Sequence, residues 1–321
     1  MTSHNISSNL KKLMYSLKAM GDISMKKGFL YTIIGAVSWG FSGSMGQHLF
    51  ETYHVNAPWL VSVRMIFAGI ILCIVSMMTM PHATRNLLKS KKDMAVEIVF
   101  ALAGLAFVQL AYLTTIRLSN AATATVLQNL NPVMIMIFVC LTHRKLPTLV
   151  EFICIILAIA GTFIVATHGS LTSLSISPKA LFFGLLTAFA CCVYTILPVQ
   201  LMKKFGSMPV IGIGMLVGGI IMTLFVQSWK LYVPLDFAGW LGVILMVVVG
   251  TAFAFTFFLT GVKEIGPVYG SIIGSLEPLT AAILGLVWLH TPLSWIDGVG
   301  FVMIMITVFL LSAPKRTHIN S

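Results

Sequence analysis

The chain has 321 residues, of which 58% are hydrophobic and only 9% are charged, and its mean hydropathy is +0.98. A soluble domain carries about a quarter charged residues, so this composition excludes a water-soluble globular protein and indicates a membrane protein. A helix that crosses the ~30 Å hydrocarbon layer needs roughly 20 residues, so the chain has room for about ten to twelve spans and for no sizeable soluble domain.

Apolar runs between charged and turn-forming residues predict ten membrane-spanning helices. In chain order they cover residues 28–48, 57–80, 94–116, 120–141, 149–167, 179–202, 209–228, 236–261, 265–289 and 294–312. Most of the connections are very short, which favours antiparallel neighbours in a compact bundle. The predicted fold class is therefore an all-α polytopic membrane protein with ten transmembrane helices.

The basic residues predict the orientation of these spans. The net charge of +11 could indicate nucleic-acid binding, but the positions of the charges decide otherwise. With the N-terminus in the cytoplasm, sixteen of the 20 Lys and Arg residues fall on the cytoplasmic side and three fall in outer loops, leaving Arg64 inside a span. The positive-inside rule then predicts that both termini are cytoplasmic, and no nucleic acid is expected as a partner.

Both ends of the chain are predicted to be cytoplasmic tails, over residues 1–27 and 313–321. Apolar residues recur at helical spacing between Leu10 and Met20, which is typical of a short amphipathic helix on the membrane surface. A poorly ordered tail, or a translation start at Met25 instead of Met1, would explain the same segment. The five cysteines lie inside apolar runs, so no disulfide, metal site or cofactor is expected.

The sequence repeats itself at an offset of 146 residues. Residues 104–132 align with residues 250–278 without a gap, and the paired residues include Gly104 with Gly250 and Pro132 with Pro278. This similarity predicts two five-helix units, over residues 28–168 and 179–312. Because five is odd, the second unit enters the membrane in the opposite orientation. Inverted repeats of this kind are common in secondary transporters, whose substrate site lies between the two halves.

Several motifs at matching places resemble the EamA family of the drug/metabolite transporter superfamily. They are Trp39-Gly40-Phe41-Ser42 in the first predicted span, Arg64 in the second, and the pairs Asn131-Pro132 and Glu277-Pro278 in the fourth and ninth. The resemblance covers roughly residues 28–312. The sequence departs from the family at Lys145 and Thr291, where the family usually has a glutamate, so no role of that glutamate is carried over.

The resemblance implies a ten-helix transporter in the bacterial inner membrane, and not an enzyme. It is expected to export amino acids, related small metabolites or drugs by alternating access. Its expected partners are the lipid bilayer and a small-molecule substrate, with protons and a second copy of the chain as further candidates. A passive channel or a lipid flippase is the alternative, followed by a membrane-embedded transferase.

Two charged residues inside predicted spans are the main candidates for substrate binding or coupling. An ionisable group at mid-membrane costs about 2.5–3.5 kcal/mol on insertion scales, so its presence calls for an explanation. Glu277, the acid placed deepest by the predicted spans, could bind a substrate ammonium or carry a proton. Arg64 could bind a substrate carboxylate. The alternatives are a structural ion pair between the two, and an Arg64 side chain that extends to the membrane interface.

Neutral polar and aromatic residues complete the predicted site. Clustered amides can bind substrate or join helices by hydrogen bonds, and aromatic rings can form cavity walls or simply pack. The further predicted substrate-binding or coupling residues are Asn131, Gln128, Gln109, Tyr112, Trp39, Tyr194 and Tyr269. Glu151 and Asp297 lie near predicted helix starts, where capping is the better interpretation.

Prolines and small residues are predicted to serve helix packing or gating. Pro132 and Pro278 each remove a backbone donor from the middle of a predicted span and so loosen the helix there. Gly266, Gly270 and Gly274 recur every four residues in the ninth predicted span. Such a face allows two helix backbones to approach closely, for packing or for movement of one helix against another.

Overall fold

The computed structural model describes residues 3–142, 144, 146–168, 170 and 175–312, with the side chains of residues 3–24, 267, 268 and 312 left undescribed. The predicted tail 313–321 lies outside the described residues, as do the side chains of the predicted amphipathic segment from Leu10 to Met20. The described part of the chain consists of helices joined by turns and short loops, and it contains no strand. This confirms the all-α fold.

Sixteen α-helices cover most of the described residues. They are α1 (Ser3–Tyr53), α2 (Ala57–Thr79), α3 (Pro81–Lys89), α4 (Lys91–Val99), α5 (Phe107–Leu118), α6 (Ala121–Gln128), α7 (Asn131–Thr142), α8 (Leu149–Thr167), α9 (Pro178–Ile196), α10 (Val199–Phe205), α11 (Ser207–Val226), α12 (Phe237–Val247), α13 (Ala254–Ile265), α14 (Pro267–Gly274), α15 (Leu276–Val287) and α16 (Trp295–Ser312). Two π-helical turns, Phe100–Ala106 and Val248–Phe253, join α4 to α5 and α12 to α13, and a 3₁₀ turn spans Ser228–Lys230.

Within the described residues, eight helical segments are long and apolar enough to cross a membrane, and a shorter apolar helix covers Trp295–Leu311. The chain is thus a multi-spanning helical protein. The first predicted span, 28–48, lies within α1, which is longer than expected and is not one of these eight segments. The total of ten spans therefore stays a prediction.

One predicted span is shorter in the structure, and one predicted loop is helical. The span predicted at 179–202 ends as α9 at Ile196, and the chain turns at Pro198 before α10 begins. Proline has no backbone N–H to continue the helix, which explains the break. The predicted loop after the second span contains the short helix α3, which begins at Pro81 and carries basic residues at its exposed positions.

Glycines bring α2 and α11 into close contact at the centre of the molecule. A Cβ placed on Gly69 of α2 would lie 2.5 Å from the backbone nitrogen of Leu216 in α11. In the other direction, a Cβ on Gly219 of α11 would lie 2.8 Å from the backbone nitrogen of Ile66. Small residues at such contacts are the usual means by which helices associate in lipid, where hydrophobic burial contributes little.

The helix α1 lies at the centre of a second set of contacts, with α13 and α15. A Cβ on Gly35 would lie 2.6 Å from the Phe258 side chain, and one on Gly40 would lie 2.5 Å from the carbonyl oxygen of Glu277. Gly40, which allows the close contact with α15, directly follows the large side chain of Trp39. The Trp-Gly pair therefore fixes α1 against the segment that carries Glu277.

The N-termini of α8 and α16 confirm the predicted capping roles of Glu151 and Asp297. Thr148 and Glu151 form a capping box, in which the Thr148 backbone N–H donates to Glu151 Oε2 at 2.8 Å. At the equivalent place in α16, the Ser294 backbone N–H donates to Asp297 Oδ2, also at 2.8 Å. Such reciprocal bonds satisfy donors that a helix start leaves unpaired. Asp297 Oδ1 also lies 3.1 Å from Nε2 of His168.

The three predicted glycines of the ninth span do not form one continuous helical face. Gly266 has a φ of +84° and forms the turn between α13 and α14, a left-handed conformation that favours glycine. A Cβ on Gly270 would lie 2.6 Å from the Val262 side chain of α13, so Gly270 allows close packing as predicted. Gly274 makes only ordinary contacts, with Phe258. The packing interpretation is therefore wrong for Gly266, because the span begins after it.

The contact between α2 and α11 predicts that Gly69→Ala lowers stability. The added methyl group would overlap the Leu216 backbone, and relief of such overpacking costs about 1–3 kcal/mol. Thermal unfolding of the detergent-solubilised protein should show a lower Tm. Gly298→Ala is the matched control, because no atom lies within 4 Å of its Cβ position. Equal Tm values for the two variants would contradict the close contact.

Candidate functional site

Two interrupted helices place Asn131 and Glu277 inside the bundle. The helices α6 and α7 are separated by a turn at residues 129–130, and α14 and α15 by a turn at residue 275. Asn131 and Glu277 stand just after these turns and directly before Pro132 and Pro278. Non-helical backbone at membrane depth is tolerated where it is buried in protein or lines a cavity, so the two turns direct attention to the space beside them.

That space is a cavity of about 350 Å³, which we call the central cavity. It is lined by Trp39, Arg64, Leu105, Val108, Gln109, Tyr112, Gln128, Asn131, Cys191, Tyr194, Thr195, Phe255, Phe258, Leu259 and Glu277. These residues come from α1, α2, α5, α6, α7, α9, α13 and α15 and from the first π-helical turn. Both halves of the chain therefore contribute to a single site.

The structure brings together eight of the nine residues that were predicted to bind substrate or support coupling. They are Trp39, Arg64, Gln109, Tyr112, Gln128, Asn131, Tyr194 and Glu277. Tyr269 does not line the central cavity. Its side chain is 51% exposed, and its ring packs edge-on against Phe29 with the centroids 5.4 Å apart. Tyr269 thus faces the outside of the bundle.

Arg64 is held in the wall of the cavity by one defined hydrogen bond. It is 4% exposed, and its Nε donates to Oγ1 of Thr251 at 2.8 Å. The Thr251 hydroxyl in turn donates to the carbonyl oxygen of Met246 at 2.9 Å, five residues earlier in the chain. Thr251 belongs to the second π-helical turn, where the wider spacing leaves carbonyl groups available to side chains. This bond explains why Arg64 is buried and does not extend to the membrane interface.

The two charged groups of the cavity do not pair with each other. No ion pair between Arg64 and Glu277 occurs in the described part of the chain, although both line the same space. Nη1 of Arg64 is buried and has no hydrogen-bond partner among the described residues. The arrangement therefore differs from the predicted structural ion pair. A buried guanidinium with a free donor provides a place for an anionic group.

Aromatic and neutral polar side chains form the rest of the wall. The Trp39 ring packs against Phe255 and Phe258, with centroid distances of 5.1 and 4.5 Å. Asn131 donates through Nδ2 to Sγ of Cys191 at 3.1 Å. The cavity thus combines an apolar face with a few polar groups at fixed positions, as is usual for small-molecule sites.

Several residues of this wall were not predicted from the sequence. Phe255, Phe258 and Leu259 recur at helical spacing in α13, a pattern that also fits plain packing. Nothing in the sequence marked Cys191 as a cavity residue, because a cysteine in an apolar run resembles any small hydrophobic residue. Thr251 was also missed, since its role depends on the π-helical turn.

Glu97 is a second acid buried within a spanning segment. Glu277 was predicted to be the deepest acid, but Glu97 is completely buried in the described structure. Its side chain lies against Gly214 of α11. Gly214 leaves room for the carboxyl group, since a Cβ there would lie 2.8 Å from Oε1 of Glu97. Glu97 does not line the central cavity.

These features define a helical, multi-spanning membrane protein with a partly polar cavity between its two halves. Residues 26–167 and 178–313 each match the model of the EamA-like transporter family. The chain belongs to the EamA-like transporter family.

The chain is also similar to two relatives of known sequence, and it shares its fold with a solved structure. The chain is 37% identical over 295 residues to the uncharacterized inner membrane transporter YicL of Salmonella typhimurium, which covers 91% of this chain and 97% of the relative. It is 21% identical over 300 residues to an uncharacterized transporter of Methanothermobacter thermautotrophicus, covering 88% and 85% of the two chains. A crystal structure at 15% identity superposes with a TM-score of 0.58 over 90% of this chain and 96% of that chain, which shows a shared fold.

The hydrogen bond between Arg64 and Thr251 predicts unequal effects of two substitutions. Thr251→Val removes the acceptor and leaves a buried guanidinium donor unsatisfied, which costs about 1–3 kcal/mol. Thr251→Ser keeps the hydroxyl and should retain most of the stability. Thermal unfolding in detergent measures the difference. If the valine and serine variants have the same Tm, the bond between Arg64 and Thr251 contributes nothing to stability.

Proposed function

We propose that the protein is a secondary transporter that binds a zwitterionic metabolite, such as an amino acid, in the central cavity and exports it by alternating access. One observation carries the proposal. Arg64 and Glu277 line the same cavity with opposite charges. Among the described residues they make no ion pair with each other, and Nη1 of Arg64 has no hydrogen-bond partner. The cost of placing both groups in the membrane is offset when a ligand supplies the missing partners.

The chemistry of the cavity fits such a ligand at both ends. A carboxylate accepts hydrogen bonds from the Arg64 guanidinium, and an ammonium group donates to the Glu277 carboxylate. The aromatic face of Trp39, Phe255 and Phe258 suits an apolar side chain between or beside these groups. Asn131 and Gln128 provide neutral donors and acceptors for orientation.

Protons are the proposed coupling ion. A carboxyl group in a membrane cavity that takes up a proton can no longer pair with an ammonium group, so Glu277 would hold either a proton or the substrate. Competition of this kind links substrate release on one side to proton binding from the other. The turns ahead of Pro132 and Pro278 would let the half-helices α6, α7, α14 and α15 move as this exchange takes place.

The proposal of alternating access includes an inverted repeat of two five-helix halves. The family model matches the chain twice, over residues 26–167 and 178–313. Three structural features also recur near the offset of 146 residues, namely a π-helical turn, a helix interrupted before a proline, and a capped helix start. Two related halves around a shared cavity can rock against each other and expose it to one side at a time.

The proposed location is the bacterial inner membrane, with both termini in the cytoplasm. The relative YicL is described as an inner membrane transporter, and the excess of Lys and Arg in the cytoplasmic segments sets the orientation. Export then means movement of substrate from the cytoplasmic side of the central cavity to the side where α1 ends at Tyr53.

A transport assay with Glu277→Gln tests the proposal. Proteoliposomes with and without a pH gradient would be loaded with a panel of amino acids, amines and cationic dyes. The wild-type protein should transport amino acids when the gradient is present, and Glu277→Gln should lower the initial rate roughly ten- to hundredfold, since a charge-assisted hydrogen bond contributes about 1.5–3 kcal/mol.

Glu264→Gln is the matched control, because Glu264 is exposed at the end of α13 and does not line the central cavity. It should transport like the wild type. Gradient-driven transport that persists in Glu277→Gln would remove Glu277 from coupling, and a wild-type protein that transports dyes but no zwitterion would refute the proposed substrate class.

A further inference from the structure

Gln47 lies between the central cavity and the end of α1. It follows Trp39 by eight residues, so it stands about 12 Å further along the helix at 1.5 Å per residue. Its side chain is 2% exposed. A buried amide in a membrane protein needs partners, and the partners of Gln47 come from three parts of the chain.

The Gln47 amide joins α1 to two other elements. Its Oε1 accepts the backbone N–H of Ala121, the first residue of α6, at 2.8 Å. Its Nε2 donates to Oγ1 of Thr291, in the segment between α15 and α16, at 2.9 Å, and to Oε1 of Glu51 within α1 at 2.8 Å. The bond to Ala121 satisfies one of the N–H groups that a helix start leaves free. One side chain thus holds three elements together.

A second layer of contacts lies between Gln47 and the central cavity. Tyr112, which lines the cavity, packs against Gly43 of α1 so closely that a Cβ there would lie 2.5 Å from the tyrosine hydroxyl oxygen. The same Cβ would lie 3.5 Å from the Ala121 side chain. Ala121 therefore takes part in both layers, and a shift of α6 would open both.

A separate polar pocket of about 370 Å³ lies beside Gln47. We call it the distal pocket. Its lining includes Gln47 itself together with Glu51, Asn120, Thr291 and Asp297. Gln47 lines the distal pocket, and Gly43, one turn earlier in α1, contacts Tyr112 of the central cavity. In the described part of the chain, two hydrogen bonds of the Gln47 amide join α1 to α6 and to the α15–α16 segment here.

We propose that Gln47 is the latch of a gate between the central cavity and the distal pocket. The gate is closed in this structure, and it opens when the amide releases the Ala121 N–H and the Thr291 hydroxyl. Two neutral hydrogen bonds are weak enough to break during a transport cycle and specific enough to define a closed state. This inference rests on the proposed function for its purpose, since the gate would serve release of substrate.

The half-helix α6 would connect the latch to the substrate site. Ala121 at its start binds Gln47, and Gln128 at its end lines the central cavity. Since α6 has only two turns and is separated from α7 by residues 129–130, it can move as a short rigid unit. A ligand that contacts Gln128 therefore acts on the same element that holds the latch closed.

Labelling of Cys191 tests the gate without any substrate. Cys191 lines the central cavity and can serve as the reporter once Cys73, Cys140, Cys154 and Cys192 are replaced by alanine. A membrane-impermeant maleimide is added to either face of oriented vesicles that contain the full-length protein. With Gln47→Leu the labelling rate from the distal-pocket face should rise about tenfold, which corresponds to about 1.4 kcal/mol in favour of the open state.

Two further variants keep the test decisive. Gln200→Leu is the matched control, since Gln200 is exposed on α10 and lines neither of the two cavities. The labelling rate of Cys191 in this variant should be unchanged. Thr291→Val removes one of the two joining bonds and should give a smaller rise, so it substitutes for Gln47→Leu if that variant does not fold. Labelling that is unchanged in a folded Gln47→Leu or Thr291→Val protein, or that rises equally from both faces, would overturn the latch.

The outcome is independent of the transport assay. A protein that moves no zwitterion but shows the one-sided rise in labelling keeps the latch and loses the proposed substrate. A protein that transports zwitterions with unchanged labelling keeps the substrate and loses the latch.

Discussion

The hydrogen bond from Arg64 to Thr251 is the interaction on which the candidate site depends. A guanidinium inside a membrane protein is costly unless it has partners, and here one nitrogen has a partner while another has none in the described part of the chain. The bond to Thr251 keeps the side chain in the cavity wall. The unpartnered Nη1 then remains available to a ligand and not to the protein itself.

The backbone is adapted to this bond in a specific way. The π-helical turn at Val248–Phe253 lets the Thr251 hydroxyl reach the Met246 carbonyl, which fixes the direction of its remaining lone pair. A second π-helical turn occurs in the first half of the chain, where it places Leu105 in the cavity wall. Local departures from the α-helix thus shape both halves of the site, in keeping with the frequent occurrence of π-turns at functional sites.

Much of the fold and of the site could be predicted from the sequence. Apolar runs located most helices, because the membrane imposes length and hydropathy directly. Arg64 and Glu277 were predicted as candidate site residues because an ionisable residue in a span is costly and calls for an explanation, and both line the central cavity. The capping residues Glu151 and Asp297 followed from position and charge alone.

The parts of the fold and the site that could not be predicted depend on contacts between distant residues, which the periodicity of apolar residues does not reveal. The roles of Thr251 and Gln47 arise from partners 187 and 74 residues away in the chain, and the burial of Glu97 from the absence of a side chain on Gly214. Tyr269 looked like other aromatic residues of the spans, but its helix turns it outward. Gly266 followed the spacing of Gly270 and Gly274, although a positive φ places it in a turn.

The most direct measurement of the central claim compares the affinity of the purified wild-type protein for an amino acid with its affinity for two analogues, each of which lacks one of the charged groups. Isothermal titration with leucine, with the amine that lacks its carboxylate, and with the acid that lacks its ammonium group would compare the three. If Arg64 and Glu277 bind opposite ends of one ligand, leucine should bind at least about tenfold more tightly than either analogue. Equal affinities for the three compounds would contradict a zwitterion site between these two residues.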